Sequence, residues 1–236
     1  MTDSGDHGHA AGSVRLPIAL VFAYSCEPGK GSEPGAGWGT LMAIREIASP
    51  IVLTRPDSMP AIQACIDGDR GASPEFGAVH EPAWATRVRE NRFLAFVLYL
   101  FWLRRAKTAA QEIISSRRVD LVQHVTYSAY WLPSPAVHLG VPSVWGPVGG
   151  AVTTPQSLVG LLGRRGRITE WVDLFAVRLA EHLPATRRTW KAASLRLVQN
   201  RETLRRIQRV TDRPSVPVSY THLTLPTIVR ECRSRG

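Results

Sequence analysis

The sequence predicts an α/β fold, a parallel sheet covered by helices on both faces. Three observations carry that prediction. Short Val/Ile/Leu-rich runs alternate along the chain with longer segments of helical periodicity, the pattern of β-α-β units. Gly/Pro-rich loops follow two of the apolar runs, at 25–34 and 146–154, where a doubly wound sheet turns its strand ends toward a ligand. The chain has 236 residues, 44% of them hydrophobic. That is enough for one large core and too apolar for a disordered chain.

The elements follow in order. Val14 to Tyr24 (VRLPIALVFAY) reads as a buried strand, and Gly35 to Ala48 as a helix with Trp38, Leu41, Met42 and Ile44 spaced to face the sheet. Ile51 to Thr54 is a short strand, Met59 to Asp67 a short helix and Phe76 to His80 a weak strand. Arg87 to Arg117 is a long helical pattern without Gly or Pro. Val119 to Thr126 and Val141 to Trp145 are strands. Ile168 to Leu183 and Pro184 to Ala193 are helices separated by Pro184, a natural break. Leu195 to Gln199 is a last strand and Arg201 to Val210 a last helix. The start, 1–13, reads as disordered, and 14–213 as one domain.

The end is unusual. Pro214 to Ile228 carries no charge directly after an Arg-rich helix. The string Val218 to Thr227 (VSYTHLTLPT) is similar to translated sequencing-adaptor read-through. The expectation is that 214–236 is non-native and that the natural chain continues beyond about residue 213.

Net charge is +10, and it is unevenly placed. Residues 1–150 hold 13 basic and 13 acidic side chains, whereas 151–213 hold 13 and 5. This basic stretch reads as a solvated helix face, or as a surface for anionic lipid or a phosphorylated substrate. No zinc-finger spacing or aromatic ribonucleoprotein motif accompanies it, which argues against nucleic acid. Cys26, Cys65 and Cys232 show no metal-ligand spacing and no even framework. They point to a reducing, cytoplasmic setting, with peripheral contact at the inner membrane face as a further option. The longest apolar run, Phe93 to Leu103, has eleven residues, short of the ~20 of a membrane span. Flanked by arginines and apolar all round, 92–105 is either a buried helix or one that dips into a lipid interface.

Three features could carry chemistry. The loop Ser25 to Gly35 (SCEPGKGSEPG) joins a strand to a helix, and a helix N-terminus there offers N–H groups and a positive dipole end to a phosphate. It is neither a P-loop nor G-x-G-x-x-G, and a structural turn explains it about as well. Glu27 and Glu33, its two acids, could contact a sugar hydroxyl or base, or cap the helix. Gly146-Pro-Val-Gly149-Gly150 follows another strand and suits close backbone approach or a tight turn. His124 ends the strand Asp120 to His124, which places an imidazole at the same sheet edge. No G-x-S-x-G elbow occurs, and Cys26 reads as a small buried residue. No metal site is expected.

On these residues the chain resembles the retaining glycosyltransferases of family 4, in a bacterial subgroup. The resembling blocks are Glu27 to Trp38 (EPGKGSEPGAGW), His124-Val-Thr-Tyr127 with Pro133-Ser134, Trp145 to Gly150 (WGPVGG) and Gln199 to Thr203 (QNRET). The resemblance implies the amino-terminal, Rossmann-like half of a two-domain GT-B architecture, with the carboxy-terminal donor domain outside this chain. It implies a nucleotide-sugar donor, a glycan or lipid-linked acceptor, no required metal, and an isolated half that is inactive. It places Gly29, Gly31, Ser32, Glu33 and Gly35 in the loop near the donor phosphates, and Gly149 and Gly150 in a loop lining the cleft. It makes His124 the catalytic candidate. Where many members carry a His-x-His pair, this chain has His124 and then Thr126. The competing expectation is a non-catalytic basic module that docks on anionic membranes or phosphate-bearing partners.

Overall fold

The computed structural model describes residues 15–66, 74–82, 84–85 and 91–218. Seven strands form one sheet: β1 (Ile18–Phe22), β2 (Ser49–Thr54), β3 (Glu75–Ala78), β4 (Leu121–His124), β5 (Ser143–Val148), β6 (Leu195–Val198) and β7 (Ser215–Pro217). Their order is β3-β2-β1-β4-β5-β6-β7, and every neighbouring pair is parallel. The connections run outward one way from β1 to β3 and the other way from β4 to β7. The reversal leaves a crevice at the carboxyl ends of β1 and β4.

The helices are α1 (Ser32–Arg45), α2 (Met59–Ile66), α3 (Arg92–Ser116), α4 (Gln156–Val159), α5 (Arg164–Ala180), α6 (Pro184–Ala192) and α7 (Arg201–Gln208). β1 shows why the sheet is covered on both sides. Successive side chains point to opposite faces. Leu20 and Phe22 pack with Tyr99, Trp102 and Leu103 of α3. Ala19 and Val21 pack with Trp38, Leu41 and Ile44 of α1. A strand buried on both faces must be apolar throughout, as Ile-Ala-Leu-Val-Phe is. A third cluster joins Trp145 and Val198 to Trp190 of α6.

The structure refines several boundaries. α1 begins three residues before the expected Gly35, with Pro34 in its first turn. Proline is tolerated there because that N–H has no partner inside the helix. β5 runs on through Gly146 and Pro147, joined by a cis peptide bond. The helix that holds the 92–105 segment buries one stripe, Tyr99, Trp102, Leu103, Ala106 and Ala110, against the sheet, and leaves Val97 and Phe101 exposed on its other side. The sheet also extends past residue 213. Ser215 to Pro217 form β7, anchored by Arg196 of β6. That buried guanidinium donates to Ser215 Oγ (2.9 Å), to the Pro214 carbonyl (3.0 Å) and to the Trp190 carbonyl. The expected disordered start at 1–13 lies outside the described residues.

Candidate functional site

The crevice between β1 and β4 opens into a cleft of about 560 Å³. Loops leaving the carboxyl ends of five strands build its walls: Tyr24 after β1, Arg55 after β2, Tyr127 to Leu132 after β4, Gly149 and Gly150 after β5, and Gln199 after β6. Glu33 from the first turn of α1 and Phe96 and Tyr99 from α3 complete it. The strand ends are held together by hydrogen bonds from backbone N–H groups. Ser25 N–H donates to Thr126 Oγ1 at 3.2 Å. Tyr130 N–H donates to the Gly149 carbonyl at 2.8 Å, and Gly149 N–H to the Ser128 carbonyl at 3.2 Å.

Tyr127 sits at the centre. Its φ is +55°, a left-handed conformation that costs a bulky residue of the order of 1–2 kcal/mol. Three neighbours hold it there. Its N–H donates to Glu33 Oε2 at 3.1 Å, and its ring packs on Tyr24 and Tyr99, each at 5.3 Å between centroids. The Glu33 carboxyl is pushed above its ordinary range by burial, against the opposing pull of the Tyr127 N–H. Burial and the nearby Glu33 raise the Tyr99 phenol further, so its hydroxyl stays a donor. Arg55 stacks its guanidinium over Tyr24 at 4.6 Å, donates to the Tyr24 carbonyl at 3.1 Å and pairs with Asp57 at 3.3 Å. Phe96 and Trp131 lie 5.3 Å apart on the far wall. The cleft therefore offers aromatic faces, one carboxyl with raised proton affinity and one guanidinium. Such a set grips a flat, hydroxylated ligand by stacking and hydrogen bonds.

The residues singled out from the sequence separate into three groups. Glu33, Gly149 and Gly150 line the cleft. Gly29, Gly31, Ser32 and Gly35 do not. A Cβ on Gly29 or Gly31 would meet nothing within 4 Å, whereas one on Gly35 would lie 2.0 Å from the Lys30 carbonyl. Gly35 is needed for the loop to fold back on α1. The first turn of α1 carries Glu33, a carboxyl group near the positive end of that helix. Glu27 turns away to pair with Lys30 at 2.8 Å.

His124 lies one layer behind the wall, with 2% of its surface exposed. Its Nε2 meets the Tyr99 hydroxyl at 3.0 Å and its Nδ1 meets Ser134 Oγ at 2.8 Å. Burial depresses its pKa to about 4, against a smaller opposing pull from the Thr126 backbone. The expectation of a histidine at the reaction centre thus meets a neutral ring with both nitrogens engaged. It touches the hydroxyl of a wall residue rather than the cleft itself. Cys26 is buried, and burial with the Glu27 carboxylate pushes its thiol up to about 12, which suits packing and not nucleophilic chemistry. Among the described residues no cluster of three His, Cys, Asp or Glu could hold a metal ion.

Sequence reasoning passed over Tyr24, Arg55, Tyr99 and Trp131. Arg55 had a usable signal, since it directly follows β2 at the sheet edge where the cleft opens. Tyr99 was one hydroxyl inside an apolar helical run. Nothing local marked Trp131.

No family model matches the sequence, and no curated protein matches it. A solved structure of similar fold is the crystal structure of UDP-glucose:anthocyanidin 3-O-glucosyltransferase in complex with UDP. It shares 11% identity over 90% of this chain, with a TM-score of 0.47. The match takes in 55% of that protein, so this chain spans about half its length.

Proposed function

We propose that this chain is the amino-terminal, acceptor-side domain of a GT-B glycosyltransferase resembling the retaining family 4 enzymes. One observation carries the reading. The four sequence blocks on which the resemblance rests lie far apart in the chain. Each contributes a wall residue to the same cleft: Glu33, Tyr127, Gly149 with Gly150, and Gln199.

On this reading the aromatic wall stacks against the apolar face of a sugar ring. Glu33 accepts a hydrogen bond from an acceptor hydroxyl, and burial raises the proton affinity of its carboxyl group. His124 acts as a positioning residue that fixes the Tyr99 hydroxyl. A second domain, outside this chain, holds the nucleotide-sugar and stabilises the departing diphosphate. The 236 residues alone then bind acceptor but do not turn over, and no metal takes part.

The test is transfer by the longer protein from a panel of nucleotide-sugars to glycan and lipid-linked acceptors, with the product anomer read by NMR. The expected result is a glycoside with the donor's configuration. Glu33→Gln and Tyr127→Ala each lower transfer by about a hundredfold, with the far-UV spectrum unchanged. An inverted anomer overturns retention. Full activity in both variants overturns the assignment of this cleft.

A further inference from the structure

The outward face of α5 has no role in the cleft, yet it carries a group of large, exposed apolar side chains. Trp171 is 67% exposed, Ile168 64% and Phe175 57%, and Val172 and Leu179 are exposed beside them. At about 100° per residue these five fall within one sector about 100° wide. Trp171 and Phe175 stack with ring centroids 5.9 Å apart. The opposite side of α5 is the packed one, where Val177 and Ala180 are buried. Singly scattered apolar residues are ordinary on a surface, but a contiguous stripe of this kind marks a contact.

The charges show what the contact is. Arg164 and Arg165 stand at the start of the stripe, and Arg167 and Arg178 run along its other edge by the same helical angles. The acids of α5 are turned away from it. Glu170 lies toward the body of the protein, where its carboxylate accepts from Thr154 N–H at 2.6 Å. Asp173 projects about 150° from the centre of the stripe. The stripe is thus apolar and aromatic, edged by cations, with no carboxylate on its own face. No helix among the described residues is long and apolar enough to cross a membrane. A helix of this pattern lies in the plane of a bilayer interface, with its rings among the acyl boundary and its arginines on phosphate headgroups.

We infer that the outward face of α5, built on Ile168, Trp171 and Phe175 and edged by Arg164, Arg165 and Arg167, is a docking surface for an anionic lipid bilayer. This differs from the 92–105 segment, which packs Tyr99, Trp102 and Leu103 into the core. The surface is independent of sugar transfer, since none of its residues lines the cleft. Its geometry nevertheless bears on the cleft, because the Thr154–Glu170 contact ties α5 to the chain leaving Gly150.

The full chain is tested by co-sedimentation with vesicles of phosphatidylcholine alone and of equal parts phosphatidylcholine and phosphatidylglycerol. Binding to the anionic vesicles, weakening with added salt, is expected. Arg164→Ser/Arg165→Ser/Arg167→Ser should lower the affinity about a hundredfold, at about fivefold per arginine. Trp171→Glu/Phe175→Glu should lower it at least about tenfold. All five positions are exposed, and the far-UV spectrum checks that the fold is kept. No binding to anionic vesicles overturns the inference, as does binding unchanged in both variants. A dimer in size-exclusion chromatography that Trp171→Glu/Phe175→Glu dissolves, with no vesicle binding, assigns the face to a second copy instead.

Discussion

At the scale of single residues, His124 shows how burial converts an ionisable group into a structural one. Its pKa of about 4 lies well below the ordinary 6.5. A group whose folded pKa is depressed contributes stability above the unfolded value and loses it as pH falls toward the folded one. The window is therefore pH 6.5 to 4, and the slope is about 1.4 kcal/mol per pH unit. Urea unfolding of the parent and of His124→Gln at pH 6.5 and 5 checks this. The parent's advantage should shrink by about 2 kcal/mol on acidification, and an equal gap at both pH values would show that the ring does not titrate on unfolding. Glycines separate in the same way by what surrounds them. A Cβ on Gly37 would lie 2.2 Å from the Ser25 carbonyl and 2.8 Å from Thr126 Cγ2, while one on Gly31 meets open space. Gly37→Ala should cost about 2 kcal/mol or more by overpacking, and Gly31→Ala about 1 kcal/mol or less at its helix-capping position. Thermal unfolding of the two variants side by side measures the contrast.

At the scale of elements, α3 and β7 are the informative cases. The Arg92–Arg105 pattern is compatible with a helix buried on one side or one lying in lipid, because period alone does not say what covers a face. The sheet decided it by presenting Leu20 and Phe22 to the Tyr99–Trp102 stripe. β7 falls in a stretch whose composition marks a break, yet its backbone pairs with β6 from Arg196 to Val198. Arg196 is what holds it. Replacing that guanidinium by Met strands the buried Trp190 carbonyl and removes the side-chain donors to Pro214 and Ser215. The expected cost is about 2–4 kcal/mol, with faster amide exchange at Ser215 to Val218. Slow exchange in Arg196→Met would mean that the strand pairs without its anchor.

At the scale of the whole molecule, two surfaces are built independently on one sheet. The cleft draws on the ends of β1, β2, β4, β5 and β6, and the α5 face lies outside it. Transfer and vesicle binding can therefore fail separately, and each experiment above reads only one of them. The alternation of apolar runs and helical segments was enough to determine the parallel α/β class, the order of the elements and the sheet edge where the cleft opens. These follow from local periodicity and from the right-handed crossover that parallel strands require. Glu33 and the Gly149–Gly150 loop were legible for the same reason, since they flank strand ends. Only the tertiary structure decided that His124 stands behind the wall, that Gly29 and Gly31 face open space, and that Tyr24, Arg55, Tyr99 and Trp131 meet. Which side chain reaches a cleft depends on the packing of elements distant in sequence, and that information is carried by no single segment.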